Sequence, residues 1–79
     1  MPSSVIRDID YDPGRHWLTV TFVSGRIYRY DGVPEVVFDG FRHAASKGQF
    51  FNSHIRDRFR HWEIPSEAAK NDFVAHMNA

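Results

Sequence analysis

Up to Tyr30 the apolar side chains tend to recur at every second position, whereas from Pro34 onward they recur every third or fourth. That change of period predicts strands followed by helices. In "SSVIRDIDY" the β-branched residues place Val5, Ile9 and Tyr11 on one strand face. "DPGR" follows and supplies turn chemistry, with Pro13 setting φ and Gly14 tolerating a positive value. In "HWLTVTF", Leu18, Val20 and Phe22 alternate with Trp17, Thr19 and Thr21. "RIYRY" makes a third strand after Gly25, which completes an antiparallel meander.

The register of the second hairpin follows from burial. A two-residue loop at Ser24 and Gly25 would pair Val20 with Arg29 and turn both Tyr28 and Tyr30 away from the aliphatic residues. A three-residue loop ending at Gly25, in the left-handed position of a bulge, pairs Val20 with Tyr28 and Leu18 with Tyr30. A slip by one residue exchanges whole faces, so the second register is expected, with the tyrosines mainly in the core and their hydroxyls at its margin.

Pro34 suits the first turn of a helix predicted over 34–45, with Val37, Phe41, Ala44 and Ala45 at helical spacing and Phe38 beside them. Gly40 costs this helix about 1 kcal/mol relative to alanine, which points to a close approach of the helix to the sheet. "SKGQ" fits a capping box between Ser46 and Gln49 and predicts a second helix from Lys47 to Ile55 or beyond, with Phe51 and Ile55 on one face. After Pro65, Ser66 and Glu67 suit the start of a short, weakly apolar last helix. The expected fold class is α+β: a three-stranded antiparallel β-meander packed on one face by a helix, then a second short helix and a C-terminal segment. Residues 1–62 form the single β-β-β-α-α domain, and residues 63–79 the C-terminal segment.

Composition narrows the class of protein. With 79 residues, 42% apolar and 15% aromatic, the chain is one small domain with enough large side chains for a core. It has no cysteine, so disulfides, thiolate metal sites and cysteine nucleophiles are excluded. The start resembles no secretory signal, and no apolar run approaches the roughly 20 residues of a membrane span. A soluble, cytoplasmic protein is expected. The net charge is zero, but residues 41–62 carry five cations against Asp57 alone, a net of +4. His43, His54 and His61 lie in the same block.

From Ser3 to about Phe59 the chain resembles the KTSC domain family, named for its occurrence at the C-terminus of some lysyl-tRNA synthetases and also found as small single-domain proteins. "SSVIRDIDYDP", "LTVTFVSGRIYRYDGVP" and "ASKGQFFNSHIR" carry the resemblance, and the tail from about Arg60 departs from it. The resemblance implies the meander-plus-helix fold and supplies no catalytic residue. RNA binding has been conjectured for the family.

Candidate chemistry centres on "FRHAASKGQFFNSHIRDRFRHW", which interleaves aromatics with cations. Guanidinium and ammonium groups neutralise phosphates while aromatic planes stack on unpaired bases. On a continuous helix Lys47, His54 and Arg58 would share one side. The nucleic-acid candidates are Lys47, His54, Arg56, Arg58 and Arg60, with Arg42 and Trp62 at the edge. Against this stands the ordinary case of phenylalanines in the core and solvated cations around them. Tyr28, Tyr30, Gly25, Ser46 and Asn52 are given structural roles, Asn52 because a helix asparagine more often satisfies backbone than binds a ligand. His43, His54 and His61 with Arg56 hold the ingredients of a metal-independent ribonuclease, but no spacing makes them a site. Asp8, Asp10 and Asp12 lack the glycine and distal glutamate of a calcium loop and read as a solvated strand edge. No metal or cofactor is expected. The favoured function is a non-catalytic module binding RNA or another single-stranded nucleic acid through a basic helical segment. The alternative is a protein-interaction or self-association module, docking by the C-terminal segment or the Trp17/Ile27 sheet face, and a small ribonuclease comes third.

Overall fold

The computed structural model describes residues 5–65. In chain order they form β1 (Ile6–Asp12), β2 (Trp17–Phe22), β3 (Ile27–Tyr30), α1 (Glu35–His43), α2 (Lys47–Phe50), a π-helical segment (Phe51–Ile55) and β4 (His61–Ile64). The fold is α+β, an antiparallel sheet in the order β1-β2-β3-β4 with the helices on one side. None of the described helices is long and apolar enough to cross a membrane. The last helix expected from Ser66 lies outside the described residues.

The β2–β3 hairpin adopts the three-residue loop. Gly25 sits at φ 98°, its N–H donates to the Phe22 carbonyl, and the Phe22 N–H donates to Arg26. Leu18 consequently faces Tyr30 and Val20 faces Tyr28. The first strand departs from strict alternation. Ile6 pairs with Phe22 but Asp8 already pairs with Thr21, so Arg7 is an extra, bulged residue. The bulge moves Ile6 onto the face of Ile9 and Tyr11 in place of Val5; Ile6 is 8% exposed and Val5 54%.

Leu18, Val20, Val33, Phe41 and Ile55 are fully buried, each contributing about 1.5–3 kcal/mol by leaving water. Ring contacts tie the layers together. Phe38 of α1 stacks on Tyr11 of β1 at 4.9 Å, and Phe51 meets Phe22 at 5.5 Å and Tyr30 at 5.7 Å. Gly40 makes a close approach, but to the second helix and not to the sheet: a Cβ there would lie 3.1 Å from the Phe50 ring. Phe50 itself stacks on Phe41 at 5.5 Å. Val33 is pinned by its N–H donating to the His16 carbonyl and by its own carbonyl accepting from the Tyr11 hydroxyl at 2.6 Å.

One expectation is refined and one is corrected. The second helix begins as predicted, with the Ser46 hydroxyl accepting from the Gln49 N–H, but it opens into a π-helical turn and stops. The Arg56 N–H closes that turn on the Phe51 carbonyl. One more residue per turn sets Phe51 and Ile55 nearly above one another on the core side. Arg56 then turns extended (ψ 132°), and Asp57 takes a left-handed φ of 62°, a conformation aspartate tolerates better than most residues. Secondly, the sheet has four strands and not three. The chain leaving Asp57 returns as β4 beside β3, pairing Tyr30 with His61, Arg29 with Trp62 and Ile27 with Ile64. The expected C-terminal segment therefore contributes Glu63 and Ile64 to the sheet.

Candidate functional site

The fold sorts the candidate cations into two groups. One sits at the corner where α1 meets α2. There Arg42 is held by Asp39 at 2.8 Å, Lys47 Nζ donates to the Arg42 carbonyl at 3.2 Å, and the exposed His54 ring lies 4.5 Å from Phe50. A shallow cleft lined by Ala44, Ser46, Gln49, Phe50, Ser53 and His54 opens beside it, and none of the arginines lines it.

The second group is the turn that leads into β4. Arg56, Arg58 and Arg60 are all exposed there. Arg56 Nη1 donates to Asn52 Oδ1 at 3.4 Å, a long contact at the surface. Arg58 and Arg60 have no ion-pair partner among the described residues. Because the helix ends at Ile55, Arg58 does not share a helical face with Lys47 and His54. The basic surface is a turn, not a helix stripe. Phe59, between Arg58 and Arg60, packs inward against the core and anchors the turn.

Beneath this turn lies the Tyr-x-Tyr strand. Tyr30 is 4% exposed, and the His61 ring stacks on it at 5.1 Å while tilting against Tyr28 at 6.1 Å. Burial pushes the Tyr30 hydroxyl up to about 12, with Tyr28 and Asp57 raising it further and Arg56 opposing them. The three histidines lie on separate elements: His43 ends α1 near Asp39, His54 is in the π-helical segment, and His61 is in β4. Among the described residues no three His, Asp or Glu side chains are grouped as metal ligands. Asp8 and Asp10 are exposed on the edge strand β1, and Asp12 Oδ1 accepts from the Gly14 N–H to fix the first turn.

The sheet face away from the helices holds a cluster that sequence spacing alone misses. Trp17 Nε1 donates to Asp31 Oδ1 at 3.1 Å. The Arg29 and Arg15 guanidinium carbons lie 4.6 and 5.1 Å from a Trp17 ring centroid. Trp62 meets Trp17 edge to face at 5.8 Å. The hairpin register already puts Arg29 on the face of Trp17 through Thr19, which was the available signal. Trp62 joins them only because β4 exists.

Comparison with known proteins places this arrangement. The KTSC domain family model matches residues 2–59. An uncharacterised protein of Stutzerimonas stutzeri is 38% identical over 65 residues, covering 81% of this chain and 92% of the relative. A lysine–tRNA ligase of Nostoc punctiforme is 40% identical over 57 residues, which cover 72% of this chain but only 10% of the ligase. The crystal structure of a KTSC domain protein from Yersinia pestis matches with a TM-score of 0.77 at 38% identity, over 82% of this chain and 92% of that one. With the match running from the first strand past the π-helical turn, the chain belongs to the KTSC domain family.

Proposed function

We propose that this KTSC domain is a small, non-catalytic module that binds single-stranded RNA through the basic turn between the π-helical segment and β4. One observation carries this: Arg58 and Arg60 stand exposed beside Arg56 with no ion pair among the described residues, on a protein of zero net charge. Cations already matched to acids have less to gain from phosphate, and unmatched ones displace counterions from it. Lys47 and His54 extend the surface toward the α1–α2 corner. Arg42, engaged by Asp39, contributes least. Related chains include lysine–tRNA ligases, enzymes that by name act on an RNA, and this supports RNA over other polyanions. A cytoplasmic location goes with that role.

The test is charge reversal where no structural contact is lost. Arg58→Glu with Arg60→Glu is expected to weaken binding to an unstructured single-stranded RNA by about tenfold or more at moderate salt, through loss and inversion of phosphate contacts. Circular dichroism on the same sample checks that the variant folds. An unchanged affinity in the folded double variant would overturn RNA binding through this turn.

A further inference from the structure

Trp17 and Trp62 touch each other on the uncovered sheet face, yet they are held very differently. Trp17 is locked: its indole N–H is bonded to Asp31, two guanidinium groups lie over its ring, and Arg29 is itself held by Thr19 Oγ1 at 3.2 Å. Trp62 makes an edge-to-face contact with this block and remains 39% exposed. No cation is found over its ring among the described residues. The arrangement presents one large aromatic on a rigid backing.

Its electrical surroundings are polarised across the sheet. Asp8, Asp10 and Asp12 stand opposite Thr21, Thr19 and Trp17, so the acids line the β1 side of this face. Trp62 lies at the other side, in the edge strand, opposite Arg29. The Asp31 N–H donates to the Arg60 carbonyl, which continues the pairing one residue beyond β4. The two-residue period of extended chain then sets Arg60 on the side of Trp62. Asp12 is paired with Arg15 at 3.3 Å, so Asp8 and Asp10 repel a polyanion from β1, while Arg60 draws it toward Trp62.

We propose that Trp62 is a stacking site for one unpaired base of an RNA strand whose phosphates contact Arg58 and Arg60. This rests on the RNA-binding function proposed above and adds the requirement for a free base. Both faces of a base inside a duplex are covered by its neighbours, so Trp62 favours single strands, whereas arginines alone serve either form.

The probes are an unstructured oligouridylate and a blunt RNA duplex of equal length, titrated by anisotropy, with indole fluorescence followed in parallel. Trp62→Ala is expected to weaken the single strand roughly tenfold and leave the duplex unchanged, and Trp62→Phe to recover most of the loss. Wild-type indole emission should be quenched by the single strand, and less so in Trp62→Phe. If Trp62→Ala and Trp62→Phe both bind the oligouridylate like wild type while Arg58→Glu with Arg60→Glu abolishes binding, base stacking is overturned and RNA binding stands. If the charge reversal also changes nothing, RNA binding falls, and the stacking site with it. A Trp62→Ala protein that turns from dimer to monomer in sedimentation, with RNA affinity intact, would assign the face to a second copy and overturn the site.

Discussion

Tyr30 is where the sheet, the π-helical segment and β4 converge. It pairs with Leu18 and His61 across the strands and packs edge to face on Phe51. Such a site favours the neutral phenol, which is why its hydroxyl is pushed up to about 12 from an ordinary value of 10.0. The sign follows from linkage. A group whose folded value is raised contributes stability that is complete below the unfolded value and lost as pH climbs through the folded one. Tyr30 therefore supports the fold fully below pH 10.0, and that support disappears as pH rises toward about 12. Ultraviolet titration should show the last phenol ionising toward about 12, and Tyr30→Phe should remove that last step. A titration in which all the phenols ionise together near the ordinary value would contradict this burial. At the same scale, Leu18, Val20 and Tyr30 were legible as core because each sits on the apolar side of a two-residue period. Val33 was not, since a loop residue has no period and its burial comes from hydrogen bonds to His16 and from Tyr11.

The β2–β3 hairpin shows how far one element depends on one backbone angle. Gly25 holds φ 98°, and a Cβ added there would meet nothing within 4 Å. Gly25→Ala consequently loses stability through backbone strain alone, about 1–2 kcal/mol, without a steric clash. Urea unfolding should report that loss with an unchanged slope. A neutral substitution would mean that the loop does not need the left-handed angle that sets its register. The elements that escaped the sequence did so for definite reasons. β4 is four residues long, with three of them exposed, so its hydrophobic pattern is faint and backbone pairing with β3 supplies its definition. The bulge at Arg7 inserts one residue and so breaks the alternation that put Val5 on the face of Ile9 and Tyr11. The π-helical turn preserves the four-residue spacing of Phe51 and Ile55, which an ordinary helix would show equally well.

Across the whole molecule, zero net charge means that attraction for a polyanion must be local. The turn offers Arg56, Arg58 and Arg60, and the helix corner offers less because Arg42 is already paired. With about three phosphate contacts on single-stranded RNA, the logarithm of affinity should fall against the logarithm of salt concentration with a slope near −2. Anisotropy titrations at several salt concentrations measure it directly. A flat dependence would exclude phosphate contacts as the source of binding, whatever the affinity at low salt.

By itself the sequence determined the α+β class, the three-strand meander with its Gly25 loop, the inward tyrosines and the capped start of the second helix. Each of these is specified by neighbours within a few residues, through side-chain period, turn chemistry or a local hydrogen bond. Only the tertiary structure decided that the last turn of the second helix is π-helical, that a fourth strand carries Trp62 to Trp17, and that Arg58 and Arg60 stand on a turn with no ion pair among the described residues. The fourth strand and its tryptophan contact depend on segments distant in the chain. Backbone pairing at a sheet edge leaves little trace in local pattern.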